Sequence, residues 1–424
     1  MNYIKIKKQP SEKGSALVLV LSLSAILLLL GSISTRLVMD SQSNTVSVFA
    51  KHSQAANIAQ AGLQDGLGWF KKNAPVRQDV GTDPCKDAAF KPNYDPSDPE
   101  NHETDDAAVG LVKDIKIHRN IYGRYILKKQ PCAGPDLPDT VKDISSKRGR
   151  NSTAGNLPNV QSGELVGDGN VWYLHSEGVV YRRADFSKTD GVFDTGPEES
   201  PNTILSRASA AVEISRLSVN VDPAPLTLFQ DGGPGHVFNN NCKISGQDAS
   251  GNALAAAYYY GNTPNVNGAT LTPSSLGRIS RPAVTTESVF AVQKEDLKGI
   301  ADNLYTNVNQ LPEQLTFSIT YLDGNFTFTS TQPLFGGGLL YVDGNLTLNN
   351  SSNSLFSGVI FVNGTLNIGK DNALSGTIIA KRIVCNPGSG SANIEYNSSL
   401  ITSVSQRLAL YRENNLTHVI REIR

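Results

Sequence analysis

The stretch YLDGNFTFTST (321–331), repeated as YVDGNLTLNNS (341–351) and FVNGTLNIGKD (361–371), decides the fold of this chain. Each copy begins 20 residues after the one before, and a degraded fourth, IIAKRIVCNPG, begins at Ile378. GGGLLY, FSGVIF and LSGTII lead into copies two, three and four. A fixed period near 20 with two short β runs per copy and Asp-Gly or Asn-Gly turns reads as the coils of a β-solenoid. A separate hairpin at each turn is the rival reading. Even spacing favours stacked coils, which bury inward Leu, Val, Ile and Phe only against one another. Alternation then points Leu346 and Leu366 inward and Thr347 and Asn367 outward.

Around the repeat, KEDLKGIADNLYTNV (294–308) sets Leu297, Ile300, Leu304 and Val308 on one helical face. It is expected to shield the first coil, and SQRLALYRENNLTHVIREIR at the C-terminus the last. Residues 294–424 are therefore read as a capping helix and a C-terminal short β-solenoid, and 223–293 as a loop-rich linker. Upstream, VKDIKIHR (112–119), IYGRYILKK (121–129), GNVWYLHSEGVVYRRADF (169–186) and TILSRASAAVEISRLSVNV (203–221) read as antiparallel strands around turns such as 176–178. They define a β domain over 75–222. The acidic loop 79–106 lacks the D-x-D-x-D-G spacing of a calcium site and reads as solvated.

Before these strands, Ser15 to Thr35 carries no charge over 21 residues, with Lys5, Lys7, Lys8 and Lys13 before it and Arg36 after. A helix of that length covers about 30 Å, enough to cross a bilayer's hydrocarbon core. The lysines predict a cytoplasmic N-terminus, a single pass through the inner membrane, and a periplasmic bulk. Val46, Phe49, Ala56, Ala59, Leu63, Leu67 and Phe70 then recur at helical steps, so a transmembrane and amphipathic helix is expected over 15–74. The fold class that follows is α+β, mostly β.

The basic leader 1–14, the apolar run KGSALVLVLSLSAILLLLGSIS and the continuation QAANIAQAGLQDGL resemble the N-terminal region of PilX-like minor pilins of type IV pili. A long helix followed by an antiparallel meander, with the WYL-S-x-G strand leading to A-A-V-E-I, is similar to the heads of such pilins. The resemblance implies cleavage by a prepilin peptidase between Gly14 and Ser15. It also implies partners among other pilins or pseudopilins, met through the N-terminal helix. Two positions depart from the major-pilin pattern: Ser15 stands first, and Leu19 stands where a glutamate is usual. A large head and a missing carboxylate also resemble K-type pseudopilins, which implies an initiating or tip subunit.

Four cysteines, Cys85, Cys132, Cys242 and Cys385, have neither C-x-x-C spacing nor a histidine pattern for zinc. In an oxidising compartment the expected pairs are Cys85–Cys132 and Cys242–Cys385. No catalytic, metal or cofactor motif stands out. Asp323 and Asp343 recur one coil apart, as carboxylates do along polysaccharide-active solenoids, but each precedes a turn glycine and the third position is Asn363. Asn325, Asn345, Asn363, Asn397 and Asn415 match N-x-[S/T] and read as β architecture. A net charge of −1 gives no electrostatic case for nucleic acid. Three function classes remain: a non-enzymatic minor pilin or pseudopilin, an anchored adhesin whose solenoid binds surface glycan, and an anchored polysaccharide-active enzyme.

Overall fold

The computed structural model describes residues 50–71, 111–128, 139–145, 151–153, 165–167, 170–184, 202–229, 235–247, 255–261, 263–278 and 284–423, with 32, 34 and 36 as isolated helical positions. Helix α1 (50–71) buries positions 55, 58, 59, 62, 63, 66, 67 and 70, one unbroken stripe at helical spacing. The stripe lies on an antiparallel sheet of β1 (Leu111–His118), β2 (Ile121–Leu127), β3 (Val171–Arg182) and β4 (Thr203–Arg216), in that order. Ile58, Leu63, Leu67 and Phe70 meet Leu111, Tyr125, Leu127, Trp172, Leu174 and Val212 in one core. Each large apolar side chain removed from water there contributes on the order of 2 kcal/mol.

The second sheet is parallel. Phe326 faces Leu346, and Leu346 faces Leu366, so positions 20 apart in sequence lie side by side. The main run passes from β5 (Leu315–Leu322) to β6 (Phe335–Val342), β7 (Leu355–Ile368), β8 (Asn372–Cys385) and β9 (Ala392–Tyr396). Between β7 and β8 the step shortens, with Leu355 facing Ala373 and Leu366 facing Ile383, which is why the fourth copy looks degraded. Gly338, Gly358 and Gly376 stack at a corner with φ of 109°, 147° and 126°. A Cβ on Gly376 would lie 1.9 Å from the Gly358 carbonyl oxygen, so only glycine fits.

Beyond β8 the stack continues with earlier chain as well as with β9. Ile378 faces Leu226, Val384 faces Val237, and Ala392 faces Cys242. Strands at 257–259, 265–267, 270–272 and 276–278 extend it further. One level is thus composite: β9 supplies one side, and Leu226–Leu228 with Val237–Asn239 supply the others. Helices α2 (Thr286–Phe290) and α3 (Lys294–Ile300) follow, and Asn303–Tyr305 then pairs with the opposite end of the stack at β5. The chain winds back from there to meet its own earlier segment.

The runs LLYV and VIFV are apolar on both sides for a physical reason. Leu340, Val342, Ile360 and Val362 point into the stack. Leu339, Tyr341, Val359 and Phe361 point out, beneath α2, α3 and α4 (Ser398–Leu408). Sheet strands covered on both faces read as continuous hydrophobic runs.

Several expectations are corrected. Among the described residues no helix is long and apolar enough to cross a membrane. The described helix α1 is amphipathic, with Ser53, Gln54, Asn57, Gln64 and Asp65 exposed. The fold class with a long transmembrane helix, and the single-pass inner-membrane placement drawn from it, are corrected accordingly. The run 15–35 itself lies outside the described residues except at 32 and 34. The molecule is mostly β, with an antiparallel and a parallel sheet, and the parallel stack is not confined to the C-terminal part. The expected helix 294–308 ends at Ile300, because Asn303–Tyr305 pairs as a strand. The C-terminal segment does not shield the last coil: β10 (Tyr411–Glu413) and β11 (Val419–Ile423) return to β4. The expected turn at 176–178 is the interior of β3.

Candidate functional site

The joint between α1 and the antiparallel sheet is built on three glycines. A Cβ on Gly178 would sit 2.2 Å from the Ala55 carbonyl oxygen and 2.5 Å from the Ala59 nitrogen. A Cβ on Gly123 would lie 2.2 Å from the Ile58 Cδ1, and one on Gly62 2.9 Å from the Tyr125 ring. Backbone therefore lies almost on backbone, and Ile58 fills the hollow over Gly123. Around this apolar contact the Tyr125 hydroxyl donates to Asp65, and the Gln64 amide donates to Glu413 of β10 at 2.7 Å. The helix is thus tied to β2 and, across the sheet, to β10. On the sheet's other side Arg124 holds Asp114 with two bonds of 2.9 and 2.7 Å, and Tyr181 donates to the same carboxylate at 3.1 Å. Burial, with that carboxylate beside it, pushes the Tyr181 hydroxyl's pKa well up.

The carboxylate row of the stack has another role. Asp323 accepts from the Lys298 ammonium at 2.7 Å, and Lys294 lies 3.1 Å from Asp343. Lys294 and Lys298 stand one helical turn apart on α3, a spacing close to that of neighbouring parallel strands. The helix therefore matches one lysine to each coil. Asp343 also accepts from Asn363 at 3.0 Å and Tyr321 at 3.2 Å. Burial alone would raise its pKa, but the Asn363 amide and the Lys294 ammonium outweigh burial and hold it below the usual carboxylate range. Asp343 is thus held as an anion among donors, which suits docking of α3 and leaves no proton for general-acid work.

Beside the row, the rings of Tyr321, Tyr341 and Phe361 stack at 4.9 and 5.0 Å, one ring per coil. Asn325 accepts from the Asn345 backbone at 2.8 Å, and Asn345 from that of Thr365 at 2.7 Å. Asn397 accepts from the Leu400 backbone and caps α4. These asparagines spend their side chains on the backbone of the next coil or turn.

Of the residues singled out in the sequence, Gly14, Ser15, Cys85 and Cys132 lie outside the described residues. Cys242 and Cys385 are joined by a disulfide that spans 143 residues of sequence at the composite level. Among the described residues no group of His, Cys, Asp and Glu could hold a metal ion. Sequence reasoning missed Gly178, taken for a turn, and the lysine pair of α3. The four-residue spacing of Lys294 and Lys298 beside a row of Asp in a 20-residue repeat was the available signal.

No family model matches the chain, and no curated protein matches it. Among solved structures, the competence-associated pilin ComZ from Thermus thermophilus is similar at 10% identity and a TM-score of 0.22, over 88% of this chain and 98% of that one. A likeness of that size fixes neither the fold nor the function of this chain.

Proposed function

We propose that this chain is a structural subunit of a type IV pilus or related secretion filament, a minor pilin or pseudopilin that primes assembly or occupies an end. The observation that carries the reading is the joint of α1 with the antiparallel sheet. An amphipathic helix lies backbone to backbone on a four-stranded meander, the arrangement by which a pilin-type head would carry its N-terminal helix. The leader 1–14 and the run after it, with their resemblance to PilX-like minor pilins, supply the segment that would pack among other pilins. The lysine-tied Asp323 and Asp343 support a structural reading of the stack.

Co-production with a prepilin peptidase is the test. Cleavage after Gly14 should leave a chain whose N-terminal sequence begins at Ser15, and Gly14→Leu should abolish it. A chain that keeps Met1 beside an active peptidase and a processed control pilin counts against the reading.

A further inference from the structure

Residues 226–278 reach the parallel stack as a separate segment, and what joins them to β8 and β9 is concentrated at the composite level. From β5 to β9 the chain itself winds from each level to the next. Between β8 or β9 and the 226–278 segment no such winding exists, and the strands meet edge to edge. Asn241 donates to the Gly388 carbonyl at 2.8 Å, Asn239 to Asn386 at 3.1 Å, and Arg382 to the Gly235 carbonyl at 3.2 Å.

Two features single this level out. The disulfide from Cys242 to Cys385 crosses it, with both residues fully buried. The inward ladder Phe326, Leu346, Leu366, Ile383, apolar at every earlier level, arrives here at His236. His236 is 1% exposed, and neither ring nitrogen has a hydrogen-bond partner among the described residues. Arg382 is the charged group that bears on it, and no described carboxylate offsets it.

We propose that the composite level is an opening point of the stack latched by the disulfide: reduction lets residues 226–278 detach while β5 to β8 stay stacked, and acid makes detachment easier. A phosphine reductant supplies two electrons, the S–S bond breaks, and each sulfur takes a proton. Water supplies those protons and the oxygen of the phosphine oxide that forms. Because both cysteines are buried, the level must loosen before a reductant reaches them. A protonated His236 would place a cation beside Arg382 in an apolar ladder, so acid favours that loosening. Detachment uncovers the edges of β8 and β9.

Hydrogen exchange on the full chain, read as protection factors at pH 7.5 and pH 5, tests the latch. Phosphine reduction should lower protection over 226–278 at least tenfold and leave 315–368 unchanged, with a larger drop at pH 5. Cys242→Ala with Cys385→Ala should reproduce the pattern without reductant, which sets aside any effect of Cys85 or Cys132. His236→Phe should remove the acid component and keep the redox one. Loss spread equally over 226–278 and 315–368, or absent from both, overturns the latch. An undiminished acid effect in His236→Phe overturns the part given to His236.

Discussion

His236 shows how one residue can set the conditions under which the fold is stable. Burial, reinforced by Arg382, pushes its pKa down to about 4, so the imidazole is neutral in the folded chain. In the unfolded chain it titrates near 6.5, so between pH 6.5 and 4 the unfolded state binds the extra proton. Stability is therefore full above pH 6.5 and falls as pH drops through that window. The loss reaches about 3 kcal/mol, at 1.36 kcal/mol per unit of displacement. His236→Phe should flatten this part of the stability–pH curve, measured by urea unfolding between pH 7.5 and 4.5; an unchanged slope would refute it. Gly178 works through space instead of charge. Gly178→Val would drive side-chain atoms into the Ala55 and Ala59 backbone and lift α1 from the sheet, costing roughly 3 kcal/mol. Thermal melting should show that loss, while Gly68→Ala, with nothing within 4 Å of the added Cβ, should be neutral or slightly stabilising.

At the scale of elements, legibility followed periodicity. The 20-residue spacing could be read because inward positions repeat in kind, Phe326, Leu346 and Leu366, and face one another across levels. Most strands at 226–278 were hidden, being three residues long and linked by no period. FNNNCKISGQD (238–248), however, reads as one strand and a turn and holds the strand Cys242–Ser245. The pairings of 226–228, 237–239 and 242–245 with β8 and β9 cross more than a hundred residues. The shorter-range ones, such as Ala257 with Leu276 and Asn265 with Val237, share no common step. The α1 stripe was legible from its steps of three and four, although Ala55 and Ile58, buried in the structure, were passed over for half-buried Ala56. Where β3 was divided at 176–178, Gly178 had been read by its propensity for turns, whereas packing of α1 decides it. The inward register predicts a contrast. Leu366→Asp buries a carboxylate in an apolar ladder and should cost several kcal/mol, on the order of 4, whereas Asn367→Asp, one residue on and facing outward, should cost less than about 1. Equal melting losses for the two variants would be incompatible with the pairing of Leu346 with Leu366. Lys294→Ala with Lys298→Ala should cost only about 1 kcal/mol, because both ammonium groups are partly exposed and screened.

At the scale of the whole molecule, the antiparallel sheet and the stack are joined by more than one stretch of chain. Strands β10 and β11 return from α4 to β4, and Arg412 pairs with Asp302 while Asn414 donates to Asp296 of α3 at 3.3 Å. The antiparallel sheet and the stack are thus sewn together at several points, and the stack does not hang on a single linker that could fold aside. A parallel stack of about eight levels at roughly 4.8 Å spacing runs on the order of 35 Å. If the chain is a filament subunit, that mass stands beside every neighbour above and below it in a shaft, whereas at an end one side is free. Leu19, in the place where major pilins carry a glutamate, gives a second reason. In a filament it would leave a neighbour's amine without a carboxylate partner and so disfavour repeated addition. The expected arrangement is one copy, or a few, at a filament end. Quantitative immunogold labelling of purified filaments, with the label directed at the stack, should place signal at ends with at most background along the length. Even labelling along the shaft would sink the end assignment and leave the filament reading itself to stand on processing at Gly14.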